Sequence, residues 1–340
     1  LLKGRTWRNA AIGLAIAALA LFITFRKTDW PELLSAFGET SWLPLLAVLP
    51  FLALSYIFRI YRWKVLLGPI SRVSFRTATG PLVTGFMINS LLPGRVGEIL
   101  RALLLSRKTG IPRAASFATV VLARLFDGLT LSAMTLCVLG AMWNTLDSAI
   151  RTGFVAATAM YLVVLMVLIM LRIWREKVIR VITAPIRFFR FHGFAGKVES
   201  ILTSFADGLE VLKNRTEVLA VALLSLCVWA CLVISVVPVF ISLGLQFRWY
   251  YPVLVLVLAG FGMLIPTPAG TGTIHYALGV LFPAITAIES NSAKVMAIIF
   301  HASQFLPVII AGLVSAFREG VSTRTVEELS ERETGKDSPL

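Results

Sequence analysis

Long apolar runs separated by short basic stretches fill almost the whole chain. Six of them, from about Asn9 to Phe25, Trp42 to Phe58, Ala114 to Trp143, Thr152 to Ile173, Val218 to Leu243 and Ala293 to Phe317, are long enough to cross a hydrocarbon layer of roughly 30 Å as helices. Two further apolar segments are interrupted. Thr77 to Leu92 is broken by Pro93-Gly94-Arg95-Val96-Gly97-Glu98 and resumes as Ile99 to Leu105. Tyr251 to Ile265 is broken by Pro266-Thr267-Pro268-Ala269-Gly270-Thr271-Gly272-Thr273 and resumes as Ile274 to about Ala287. Neither arm of either pair spans a bilayer comfortably, so each pair predicts a re-entrant hairpin that enters and leaves on one side. The pattern therefore predicts an all-α polytopic membrane protein with about six full spans and two oppositely oriented hairpins.

Between the fourth and fifth runs lies a polar segment, 174–216, in which Arg175, Lys177, Arg180, Arg187 and Arg190 alternate with Val178, Ile182, Ile186, Phe188 and Phe189. A basic stretch bearing aromatic residues in this way predicts an amphipathic element lying in the membrane interface. Residues 318–340 have no apolar periodicity and predict a polar, mobile tail. Lys3, Arg5 and Arg8 precede the first run, which reads as a retained span with no small-residue cleavage site after it.

Composition strengthens this reading. The 340 residues are 57% hydrophobic and only 15% charged, with mean hydropathy +0.84, against about 25% charged in soluble domains. No part of 1–317 is left over for a soluble domain. The net charge of +14 would suit nucleic acid, but its placement at the ends of apolar runs follows the positive-inside rule. That placement puts both termini in the cytoplasm and matches anionic lipid headgroups. The three cysteines, Cys137, Cys227 and Cys231, all lie in apolar runs, which argues for packing and against a disulfide framework.

The two interrupted segments also match each other. Each sits inside a span–hairpin–span unit, about 42–143 and 218–317, and the loop charges place the units in opposite orientation, an inverted repeat. Pro93 and Gly97 have the same spacing as Pro268 and Gly272. Broken helices at a repeat interface commonly aim their N-termini at an anionic group. Gly97, Gly270 and Gly272 would allow close backbone approach. Thr267, Thr271 and Thr273 would add hydroxyl donors, and Arg95 a fork for a phosphate oxygen. The alternative is two Pro/Gly packing kinks.

Charged and ionisable residues inside spans are expensive and usually functional. Arg124 and Asp127 stand one turn apart in the third full run, where they contact substrate, or form a structural pair that pins the first hairpin through Glu98 or Arg101. His275 follows the second break, and His301 lies in the last run with Gln304 one turn on. These read either as satisfied core residues or as a substrate or proton contact. No third ligand accompanies the histidines, so no metal site is expected, and no cofactor motif or nucleophile–base pair points to an enzyme.

The segments Pro93-Gly94-Arg95-Val96-Gly97-Glu98-Ile99-Leu100-Arg101, Val120-Val121-Leu122-Ala123-Arg124-Leu125-Phe126-Asp127 and Pro266-Thr267-Pro268-Ala269-Gly270-Thr271-Gly272 resemble the lysylphosphatidylglycerol synthase transmembrane region, the flippase-like family. The resemblance covers nearly the whole chain. It implies a cytoplasmic-membrane protein with two re-entrant hairpins that moves a phospholipid or polyprenyl-linked lipid between leaflets. With only a short tail after Phe317, it does not imply lipid synthesis. Departures fall at Ala269, where the family usually has Gly, and at His275 and Ala123, where it has Glu. His301 stands near the place of a common Arg.

The expectation is a lipid translocase working by alternating access, with Arg95, Arg101 and Arg124 on the phosphate and Glu98 and Asp127 positioning them. Its partner would be an anionic-headgroup lipid, with a homo-oligomer or a separate lipid-modifying enzyme as further partners. Two alternatives are a non-transporting subunit that presents lipid to a separate glycosyl- or aminoacyltransferase, and an ion-coupled carrier of a small solute.

Overall fold

The computed structural model describes residues 2–188, 196, 198, 199, 203 and 214–320. Among them every regular element is helical. In chain order these are α1 (Leu2–Phe25), α2 (Trp30–Gly38), a 3₁₀ turn (Leu43–Ala47) leading into α3 (Val48–Leu67), α4 (Phe75–Leu91), a 3₁₀ turn (Pro93–Arg95), α5 (Val96–Thr109), α6 (Arg113–Met142), α7 (Ser148–Ile173) and α8 (Arg175–Phe188). Then come α9 (Arg215–Ser242), α10 (Tyr251–Gly262) and a 3₁₀ turn (Pro268–Gly270). They are followed by α11 (Thr273–Tyr276), a π-helical segment (Ala277–Leu281), α12 (Phe282–Ile285) and α13 (Ser290–Arg318). The interfacial segment is described through Phe188 as α8; most of 189–213 and the tail from 321 lie outside the described residues.

Four of these helices are long and apolar enough to cross a membrane: Leu43–Leu67, Arg113–Met142, Arg215–Ser242 and Ser290–Arg318. A fifth is formed if Ala11–Phe25 and Trp30–Gly38, bent by 92° at their junction, count as one broken span. The chain is thus an all-helical, multi-pass membrane protein. Helix starts are set by short polar side chains that accept otherwise orphaned amides. Ser74 takes Thr77 N at 3.1 Å, Asp147 takes Ala149 N at 2.8 Å, Asn214 takes Thr216 N at 3.0 Å, and Glu289 takes Asn291 N at 2.7 Å.

Helix α3 lies along α9, α4 along α13, and α10 against α6. Where apolar area gives no advantage over lipid, close backbone approach and hydroxyl bonds hold helices together. A Cβ at Gly97 would overlap the Gly85 carbonyl, so only glycine lets α5 fold back on α4. Ser315 Oγ donates to Gly80 O at 3.1 Å and accepts from Thr84 Oγ1 at 3.1 Å, which ties α4 to α13. Large apolar side chains such as Leu19, Phe22, Leu223, Ile310 and Leu313 face outward, as a lipid-facing surface requires.

The second apolar run ends at Phe58, and hydropathy alone would make Arg59, Arg62 and Lys64 the start of a basic cytoplasmic loop. The helix instead continues to Leu67, and Arg62 is only 3% exposed. Charge normally marks the end of a span, but here partners on other helices neutralise it. Helix α2 was also absent from the sequence pattern.

Both interruptions are 3₁₀ turns of three residues that begin at proline. Among the described residues, Arg95 (φ 59°) and Ala269 (φ 50°) are the non-glycine residues with positive φ, and Gly270 (φ 69°) follows Ala269. The left-handed region costs an L-residue roughly 1–2 kcal/mol, so the surrounding packing imposes these turns. The two tips touch: Arg95 Nη2 reaches Met263 O at 3.5 Å. Helix α1 crosses both. A Cβ at Gly13 would come within 2.7 Å of Pro266 O and 3.0 Å of Pro93 Cβ.

Candidate functional site

The residues singled out in the sequence fall into two groups, one around each break. The first is a charge cluster built by α3, α5, α6 and α9. Asp127 is its centre, 8% exposed and roughly 21 Å along α6 at 1.5 Å per residue. Its Oδ1 accepts from Arg62 Nη1 at 2.7 Å and from Trp229 Nε1 at 3.4 Å. Its Oδ2 lies 3.3 Å from Arg124 Nη1 and 3.8 Å from Arg59 Nη1. Glu98, in the first turn of α5, accepts from Arg124 Nε at 2.6 Å. Arg62 also donates to Ser225 Oγ at 2.9 Å, which joins α9 to the network.

Arg101 is different. Its guanidinium lies over the Trp63 ring, 3.8 Å from the centroid, with 5% exposure. No carboxylate among the described residues forms an ion pair with it, and its Nε has no hydrogen-bond partner. Arg59 and Arg124 pack over Phe86 at 5.1 and 5.2 Å, so aromatic faces shield the cluster. Arg124, 29% exposed on its side chain, forms its open edge.

The second group, at the other break, consumes its own polar groups. Thr273 Oγ1 donates to Gly270 O at 3.0 Å and lies 3.3 Å from Thr267 Oγ1. Gly272 N donates to His275 Nδ1 at 3.4 Å, a bond that requires His275 to carry its proton on Nε2. His301 Nε2 is 3.2 Å from Ala269 O, so the two imidazoles, 4.8 Å apart, brace the strained Ala269 and the backbone at Gly272 just beyond the turn. Backbone freed by a break inside a membrane protein must find such partners. Gly272 lies against α1, where a Cβ would meet the backbone at Ala17. Gln304 bonds Ser235 Oγ at 3.0 Å on α9, away from the histidines. Thr271 is half-buried at this turn.

The structure therefore brings Glu98, Arg101, Arg124 and Asp127 together and places Thr267, Gly270, Thr271, Gly272, Thr273, His275 and His301 at the second turn. Arg95 stands exposed at the tip, outside the charge cluster, and Gly97 serves the α4–α5 contact. Sequence reasoning missed Arg59, Arg62, Trp63, Ser225 and Trp229. A usable signal was present: Arg59 and Arg62 are one turn apart and directly continue an apolar run. Between α1, α7 and the second hairpin lies an apolar cavity of about 480 Å³, lined by Ile16, Ala20, Phe154, Phe261, Thr273 and Tyr276 among others.

The sequence model of the lysylphosphatidylglycerol synthase TM region matches residues 10–312. Glycosyltransferase AglD of Haloferax volcanii is 24% identical over 94% of this chain, which spans 56% of that protein's length. UPF0104 membrane protein MJ1078 of Methanocaldococcus jannaschii is 25% identical over 67% of this chain and 92% of its own.

Proposed function

The chain belongs to the lysylphosphatidylglycerol synthase transmembrane-region family, and from that premise we propose that it is a lipid translocase and not an enzyme. It moves a phospholipid or polyprenyl-linked lipid with an anionic headgroup between leaflets of the cytoplasmic membrane by alternating access. The observation that carries this reading is the buried cluster of Arg59, Arg62, Arg101 and Arg124 around Asp127 and Glu98, built on three helices of the first half and contacted from the second half by Ser225 and Trp229. A cluster of basic charge at this depth is costly unless it serves an anion or a relay.

In this reading six crossings (α1, α3, α6, α7, α9 and α13) leave both termini cytoplasmic. The two broken segments are re-entrant hairpins of opposite orientation. An inverted repeat is supported by the matching proline-led turns and by an exchange of neighbours. The first arm of hairpin one packs on the last span of the second half (α4 on α13), and the first arm of hairpin two packs on the last span of the first half (α10 on α6). The apolar cavity beside α1 offers room for a chain of the lipid.

The test is reconstitution into vesicles with a panel of headgroup-labelled lipids and a membrane-impermeant quencher. Protein-dependent loss of protected label for an anionic lipid supports translocation. A second reading, a subunit that presents lipid to a separate transferase, is favoured by the relative named a glycosyltransferase, much of whose length this chain does not cover. It predicts lipid binding with no change in the protected fraction.

A further inference from the structure

The arginine cluster does not balance. Four guanidiniums, Arg59, Arg62, Arg101 and Arg124, face two carboxylates, Glu98 and Asp127. Two phenols also lie near them: the Tyr56 ring is 5.8 Å from the Arg59 guanidinium, and Tyr161, near Asp127, donates its hydroxyl to Leu125 O. Among the described residues the site therefore carries two positive charges that no carboxylate cancels. They are not spread over the protein surface: Arg101 is 5% exposed and Arg62 is 3% exposed.

Donor capacity is left over as well. The Nε atoms of Arg59, Arg62 and Arg101 are buried and have no hydrogen-bond partner. Arg101 forms no ion pair among the described residues, only its stacking on Trp63 at 3.8 Å. Buried charge is normally paired, and an uncompensated one is strongly destabilising. Such an arrangement is maintained where a ligand completes it. The charge of that ligand can be read from the surplus. A phosphate monoester carries about −1.5 to −2 near neutral pH with three strong acceptor oxygens, whereas a phosphodiester carries a single charge.

We propose that the arginine cluster is a binding site for a phosphate dianion, that is a phosphate monoester or diphosphate, in preference to a phosphodiester headgroup, with Arg101 the residue that sets the preference. This rests on the lipid reading above only for its source: the same dianion chemistry belongs to a monoester lipid and to free phosphate. Glu98 and Asp127 hold Arg124 and Arg62 in place and cancel two charges, and Arg101 with Arg59 supplies the remainder. Arg124 at the open edge is the first contact for an arriving headgroup.

The experiment uses the full chain in lipid nanodiscs at pH 8, titrated with phosphatidic acid, phosphatidylglycerol of the same acyl chains, and inorganic phosphate. Phosphatidic acid is expected to bind at least tenfold more tightly than phosphatidylglycerol. Arg101→Gln should bring the ratio to within about twofold of unity, and Arg101→Lys should keep it. Glu98→Gln, which adds one more uncancelled charge, should raise the ratio, so the proposal stays exposed even if Arg101→Gln does not fold. Equal binding of the two lipids by the parent, or an unchanged ratio in Arg101→Gln, overturns the dianion site and leaves the lipid reading standing. Binding of inorganic phosphate with neither lipid bound supports the dianion site and overturns the lipid reading instead.

Discussion

Asp127→Ala is the most informative single perturbation of this fold. Its carboxylate accepts from two arginines, at 2.7 and 3.3 Å, and pairs with a third at 3.8 Å, and both it and Arg62 are buried. Removing it leaves Arg62 with Ser225 Oγ alone. Breaking a buried pair from one side costs about 3–5 kcal/mol, because the remaining charge stays desolvated. Glu98→Ala should cost less, about 1.5–3 kcal/mol as for one charged hydrogen bond, since Arg124 keeps Asp127 and is partly open. The double variant Asp127→Ala/Arg62→Met removes the stranded charge and should be more stable than the two single losses added, with a coupling of about 1–3 kcal/mol. Reversible unfolding in mixed micelles, followed by tryptophan fluorescence, measures all three; Trp63 and Trp229 flank the cluster and report on it. A loss below about 1 kcal/mol for Asp127→Ala, or strict additivity in the double variant, would refute the view that Asp127 locks α3 to α6.

Arg124→Ala should leave the protein folded and inserted but slow lipid movement tenfold or more, equivalent to about 1.4 kcal/mol; if it unfolds the protein and Asp127→Ala rescues it, Arg124 is structural. After replacement of the three native cysteines, a cysteine at Arg72 should react with an impermeant reagent only from the cytoplasmic side, and one at Ala287 only from outside. Labelling of both from one side would end the inverted-repeat topology. His301→Phe removes the partner of Ala269 O and should cost about 1–3 kcal/mol by leaving a buried carbonyl unmet. His301→Gln, which retains a donor, should cost visibly less in the same unfolding assay.

The helices were legible because hydropathy reports what faces lipid, and most of the chain does. The limits of α6, α7, α9 and α13 fall within a few residues of the apolar runs. The pattern failed where a charge is buried instead of marking an end. Arg59 and Arg62 looked like the first residues of a loop because their neutralising acid, Asp127, is 65 positions away from Arg62, a pairing no local pattern contains. The candidate site was legible by residue type but not by grouping. Glu98, Arg101, Arg124 and Asp127 converge, whereas Arg95, beside Glu98 in sequence, points to the other hairpin because its left-handed backbone turns it away. The threonines and histidines of the second break carried a real signal, polar groups in an apolar setting, but the need they meet is that of their own turn.

The two breaks share a turn and differ in chemistry, and on the proposed path that difference has a kinetic consequence. At the first break two positive charges are uncancelled among the described residues; at the second, His275, His301, Thr267 and Thr273 are already bonded to backbone or to each other. An anionic headgroup passing between the two halves therefore leaves a strong electrostatic well for a weak one. Departure from the arginines is then the steepest step, whichever way net transport runs. Glu98 and Asp127 limit its height: without them the same four arginines would hold a phosphate with all their charge, and a carrier that binds without releasing moves nothing. On the proposed path the carboxylates thus fix the arginines in place and keep the site weak enough to turn over.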